Sequence, residues 1–142
     1  MEGLIELEIS PNSEPKLIRQ FKEKDGLISN WINDIEKVKD EEIWLATDTG
    51  LVSFNPLENA ENYFGVFTRT SGIGFQFLNC LFRDSLGNLW VGTKTNGLSR
   101  ISPGIWTYFN EKDGIEAIRS IFTLKNGGIG IVGFITNTQL DS

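Results

Sequence analysis

The 142-residue chain contains no histidine. That absence removes imidazole acid–base catalysis, histidine metal sites, Ser-His-Asp and Cys-His nucleophile arrangements, and a phospho-accepting histidine. Cysteine is nearly missing as well. The one thiol, Cys80, can form no disulfide within the chain and belongs to no CxxC redox or zinc motif. Positive charge is scarce: 13 Lys+Arg stand against 19 Asp+Glu, a net charge of -6. Nucleic acid is therefore not expected as a partner, because gripping a phosphate backbone needs clustered cations. No apolar run approaches the ~20 residues of a membrane span, and Met1 to Ser10 lack the basic start and apolar stretch of a signal peptide. With 39% hydrophobic and 23% charged residues, the composition is that of one folded domain and not of a disordered chain.

What the chain has in plenty is glycine, 15 residues, and a repeat that uses it. Asp84-Ser85-Leu86-Gly87-Asn88-Leu89-Trp90-Val91-Gly92-Thr93 is echoed by Asp40-Glu41-Glu42-Ile43-Trp44-Leu45-Ala46-Thr47, and the two tryptophans stand 46 apart. A degenerate third copy, Gly127 to Gly133, places Ile131 at the tryptophan position, 41 residues further on. A second landmark shares the phase. Phe21 leads to Asp25-Gly26-Leu27, Phe67 to Ser71-Gly72-Ile73, and Phe109 to Asp113-Gly114-Ile115, at spacings of 46 and 42.

Each period predicts four short strands. The first is an apolar run (Ile32, Ile35, Val38; Leu78, Leu81, Phe82; Ile118, Ile121, Phe122) and the second is Ile43 to Thr47 or Leu89 to Thr93. The third, Leu51 to Asn55 or Leu98 to Ser102, stops at Pro56 or Pro103, since proline cannot donate to a ladder. The fourth is Tyr63 to Thr68 or Ile105 to Phe109. Turns rich in Asn, Asp and Gly separate them, as hairpins require. Four strands in each 41–46 residues make an all-β chain of β-propeller blades, each a four-stranded antiparallel sheet. Trp44, Trp90, Phe21, Phe67 and Phe109 recur once per period, which is what packing between neighbouring blades demands.

The repeats resemble those of the two-component regulator propeller family. The central copy fits that pattern at Leu78, Leu81, Asp84, Gly87, Leu89, Trp90, Val91, Gly92 and Thr93, then at Asn96-Gly97-Leu98 and Phe109 with Asp113-Gly114-Ile115. The first copy keeps Asn30, Ile32, Ile35, Trp44, Thr47 and Gly50-Leu51, with Val38 and Glu41 where Asp and Gly are usual. The last copy has lost the tryptophan and reads as carrying one extra residue in its first turn. The resemblance implies a sensory, ligand-binding module and no enzyme. It further implies a periplasmic or extracellular setting, as in the sensor regions of histidine kinases, hybrid sensors and some diguanylate cyclases, with a glycan fragment or other small molecule as ligand. A protein-interaction scaffold is the first alternative. A propeller lyase is the second, and it fits less well because such sites lean on histidine.

The sequence divides into half a blade (1–28), two whole blades (29–73 and 74–115) and half a blade (116–142). Three blades' worth is too little to close a ring, since closed propellers use about four to eight. An open arc exposes apolar sheet faces. The chain is thus expected to be part of a longer propeller, or to meet further copies of itself in a homo-oligomer that completes one, or to remain an open arc that aggregates. Ligands of propellers sit near the central channel, at the loops from fourth to first strand and from second to third. Residues there that break the repeat are candidates, Trp31, Phe75, Gln76, Lys94 and Arg119, together with Asn30 and Asn96 of the same loops. An aromatic platform with amide and guanidinium donors suits a sugar or a carboxylate, and Lys94 and Arg119 read as having no charged equivalents in the other copies. The competing reading has Trp31 and Phe75 packed at the hub and the charges solvated. No metal or other cofactor is expected. Asp25-Gly26 and Asp113-Gly114 belong to no calcium loop, and Gly72-x-Gly74 and Gly127-Gly128-x-Gly130 precede no helix.

Overall fold

The computed structural model describes residues 3–58, 63–67 and 76–135. Strands β1 (Leu4–Glu8) and β2 (Lys16–Phe21) form an antiparallel hairpin. β3 (Ile32–Lys37), β4 (Ile43–Thr47), β5 (Leu51–Phe54) and β6 (Phe64–Phe67) follow as a four-stranded antiparallel sheet in chain order. A second such sheet is built from β7 (Leu78–Arg83), β8 (Leu89–Thr93), β9 (Leu98–Ser102) and β10 (Ile105–Phe109). β11 (Ile115–Thr123) and β12 (Ile129–Ile135) close the series as another hairpin. These are propeller blades. Their first strands, β3, β7 and β11, lie side by side at the inner end of the fan.

The recurring residues owe their positions to local chemistry. In the turn between β7 and β8 the Asp84 carboxylate accepts from the backbone N–H of Leu86 and Asn88, from Asn88 Nδ2, and from Trp90 Nε1 at 2.8 Å. One side chain thus shapes the turn and orients the indole that fills the blade. The first copy has Val38 in that place, and Trp44 Nε1 donates instead to Glu42. At the far end of the second strand, Thr47 Oγ1 donates to the Gly50 carbonyl and Thr93 Oγ1 to that of Gly97. Gly97 adopts φ +86, and a Cβ there would collide with the Phe109 carbonyl, so this turn requires glycine. The Asp-Gly landmarks are capped 3-10 turns. The backbone N–H of Lys22 and of Asn110 donates to Asp25 and Asp113, each at 2.9 Å.

Packing between blades produces three cores. The β1–β2 hairpin lays Phe21 against Leu45, Val52 and Phe54 of the first full sheet. The other face of that sheet, with Ala46 and Leu51, meets Leu78, Leu81, Leu89 and Val91 of the second. The second sheet in turn presents Cys80, Trp90 and Leu98 to Ile118 and Ile121 of β11. Trp44 stacks on Phe67 at 4.9 Å between centroids, and Trp90 on Phe109 at 6.2 Å. The recurring aromatics are packing residues. Cys80 is buried, and burial pushes its thiol up to about 11. The thiol is accordingly expected to resist a disulfide-exchange reagent at pH 8 in the native protein and to react fully in denaturant. Rapid labelling of the folded chain contradicts the placement.

The last repeat corrects the sequence reading. β7 and β8 pair Phe82 with Trp90, and β11 and β12 pair Phe122 with Gly130. Gly130, not Ile131, holds the tryptophan position, and Ile131 corresponds to Val91. The turn has no extra residue: Leu124 N donates to the Gly128 carbonyl as Asp84 N does to that of Asn88. The space an indole would fill is taken from the partner strand, since a Cβ built at Gly130 would collide with the Phe122 ring.

Candidate functional site

The first strand of each blade carries a bulge at the same phase. Asn33, Asn79 and Arg119 each lack a partner, because Ile32, Leu78 and Ile118 pair with Thr47, Thr93 and Gly133 while the residue two positions on pairs with the very next one. A bulge swings its side chain out of the ladder direction. Asn33 Nδ2 donates to the Leu78 carbonyl at 2.7 Å, and Asn79 Nδ2 to the Ile118 carbonyl at 2.9 Å. Each asparagine therefore ties its own first strand to the next one. Asp34 adds a further tie, accepting from Leu81 N at 2.7 Å.

Around these ties the channel rim of the two full blades is assembled. Asp48 Oδ1 accepts from Asn33 Nδ2 at 2.7 Å and from Lys94 Nζ at 3.0 Å. The Asn33 hydrogen bond, opposed by desolvation and reinforced by Lys94, holds the Asp48 carboxyl below the usual carboxylate range. Lys94 does have a charged counterpart, contrary to the sequence reading: Asp48 follows Thr47 as Lys94 follows Thr93, so adjacent blades carry opposite charges at one position and pair them. Phe77 is clamped between the same two residues. Its N–H donates to the Asp48 carbonyl and its carbonyl accepts from Lys94 N, at 2.8 and 2.9 Å. Its φ of +60 is unusual for a bulky residue, yet its ring stays 47% exposed.

The other candidates divide. Trp31, the counterpart of Phe77, is 58% exposed beside the same rim, its carbonyl accepting from Asp48 N. It is not packed into the hub. Asn30 is occupied structurally, its Oδ1 accepting from Glu23 N while its own N–H donates to Glu23 Oε1. Gln76 is exposed next to Phe77. Arg119 occupies the bulge position of the last repeat, exposed, with its guanidinium 5.5 Å from the Phe134 ring centre. Phe134 in turn stands where Asp48 and Lys94 stand in the full blades. Asn96 borders a separate groove of about 290 Å³ with Tyr108, Asn110 and Lys112, and its carbonyl accepts from the Tyr108 hydroxyl. Phe75 lies outside the described residues. Sequence reasoning missed Asn33, Asp48 and Phe134, although the spacing of 46 between Asn33 and Asn79 and between Asp48 and Lys94 was there to be read.

Among the described residues no cluster of three metal-ligating side chains is present, and no helix is long and apolar enough to cross a membrane. Residues 72–95, the stretch that contains the β7–β8 hairpin, match the family model described as two component regulator propeller. The chain carries a two-component regulator propeller repeat. The propeller blades extend well past that stretch. The structure is similar to the extracellular domain of a hybrid two component system protein from B. thetaiotaomicron, with a TM-score of 0.67 and 25% identity, covering 82% of this chain. The chain spans only 16% of that larger domain. No curated protein matches the chain.

Proposed function

We propose that the chain is a non-catalytic ligand-binding segment of a sensory propeller, acting outside the cytoplasm in signal transduction. The observation that carries this reading is the channel rim. Trp31 and Phe77 are about half exposed or more beside a paired Asp48 and Lys94, and in the next blade Phe134 stands at the position of that pair with Arg119, at the bulge, against its ring. Exposed aromatic faces next to directional charged donors suit a sugar or a carboxylate-bearing small molecule. The similarity to the extracellular domain of a hybrid two component system protein supports both the sensory role and the setting. Since the chain corresponds to a small part of that domain, its output belongs to other segments or partners.

The test is a thermal-shift screen of neutral and acidic oligosaccharides and small carboxylates, followed by tryptophan fluorescence for any hit. A saturable stabilisation is expected, with Kd weakened about tenfold or more in Trp31→Ala and in Arg119→Ala, one lost contact of roughly 1.4 kcal/mol. Both side chains are exposed, so neither variant should lose stability without ligand. Stabilisation by no compound, or binding indifferent to both substitutions, moves the reading to a protein-interaction scaffold.

A further inference from the structure

We propose that Phe77 is a recognition residue of the rim, its ring forming with that of Trp31 a two-ring platform for an uncharged oligosaccharide. The inference rests on the sensory reading and narrows it to one class of ligand. What marks Phe77 is its backbone. Among the described residues only Asn12 and Phe77 combine a side chain with positive φ. Asn12 lies in a turn, where asparagine tolerates the left-handed region. For phenylalanine that region is costly, because Cβ crowds the following carbonyl, and glycine is the residue that fits. A bulky ring kept against this cost is held by its surroundings, and such strain gathers at sites of function. Packing does not account for the ring: it belongs to none of the three cores between blades and stays 47% exposed.

The surroundings that hold Phe77 are a transverse chain of backbone hydrogen bonds. Asp48 N donates to the Trp31 carbonyl at 3.4 Å, Phe77 N to the Asp48 carbonyl at 2.8 Å, and Lys94 N to the Phe77 carbonyl at 2.9 Å. The chain steps from Trp31 through Asp48 to Phe77, so the two aromatic residues are fixed two strand spacings apart, about 10 Å along the rim. That span exceeds one sugar ring, and a ligand resting on both platforms has at least two. The charges that flank Phe77 satisfy each other. Lys94 Nζ donates to Asp48 Oδ1 at 3.0 Å, and Asn33 Nδ2 donates to the same oxygen. Neither charge is free to hold a carboxylate. Apolar ring faces edged with hydroxyls suit this stretch better, since the faces lie on Trp31 and Phe77. The exposed Gln76 amide beside Phe77 both donates and accepts, as hydroxyl recognition requires.

Two measurements on the 142-residue chain test the proposal. The first needs no ligand. Phe77→Gly is expected to melt about 4 °C above Phe77→Ala, the reverse of the usual order, since both lose the ring and only alanine keeps the strain. A glycine variant that melts lower overturns the proposal. The second is calorimetric titration with neutral saccharides of one, two and four units of glucose, galactose, mannose, xylose or arabinose. At least one tetrasaccharide is expected to bind where its monosaccharide does not. Its Kd should weaken about tenfold in Phe77→Gly and in Trp31→Ala, and high salt should leave it unchanged. A saccharide that responds to Trp31→Ala and not to Phe77→Gly overturns the role of Phe77 and leaves the sensory reading standing. A monosaccharide that binds as tightly as the tetrasaccharide, or small carboxylates that bind where neutral saccharides do not, have the same consequence. Binding of neither group overturns both readings together.

Discussion

Leu78→Ala is expected to cost about 3 kcal/mol of folding stability, lowering the melting midpoint by roughly 10 °C for a domain of this size. Leu78 is fully buried at the head of β7 and packs in one cluster with Ala46 and Leu51 of the preceding blade and Leu89 and Val91 of its own. Truncation removes apolar contact on both sides of a junction between sheets, and neither sheet can collapse into the gap without breaking ladder bonds. Leu86→Ala is the control, because that side chain is 85% exposed in a turn and should change stability by less than about 0.5 kcal/mol. Equilibrium denaturation in urea measures both. Equal losses in the two variants would mean that the blades do not share a core.

The second large effect is expected from Asp84→Ala, at about 2 kcal/mol. The substitution strips the acceptor from the Trp90 indole N–H, the Asn88 amide and two backbone N–H groups together. Asp84→Asn, which retains one acceptor oxygen, should lose less. The same site predicts a pH dependence. Burial alone would raise the Asp84 carboxyl, but the hydrogen bonds from Trp90, from the Asn88 side chain and from the backbone outweigh it and hold the group below its usual range. The folded chain therefore binds this proton less readily than the unfolded one. The contribution is complete above the ordinary aspartate pKa of about 3.9 and is lost as pH falls through the lower folded value. The stability gap between wild type and Asp84→Asn should accordingly narrow below about pH 4. A gap that widens on acidification contradicts the assigned hydrogen bonds.

Strand phase was readable from the sequence because bulky rings and turn glycines have no alternative positions in a four-stranded blade. Trp44 and Trp90, Gly50 and Gly97, and the Asp-Gly turns each fall where their spacing put them. Register in the last repeat was not readable. Around Gly127, Gly128 and Gly130 there is no side chain to anchor an alignment, so in sequence the nearest large residue, Ile131, reads as the missing indole. The rim was half readable. Trp31, Lys94 and Arg119 stand out as residues that break the repeat, and the structure places Trp31 and Lys94 beside Asp48. Asn33 and Asn79 escaped notice because they keep the repeat while serving as ties. A bulge leaves no trace in a pattern of period two, and the reciprocal bonds of Asn30 with Glu23 are equally invisible in sequence.

The exchange at Gly130 bears on how such chains are counted. When the Phe122 ring occupies the volume an indole would take, the requirement met is occupancy of a space, not the identity of the residue standing opposite. The family model matches one stretch here, residues 72–95, while strand pairing shows neighbours on either side built to the same plan. Tallies of wedges in chains of this kind are better taken from strand pairing than from signature letters.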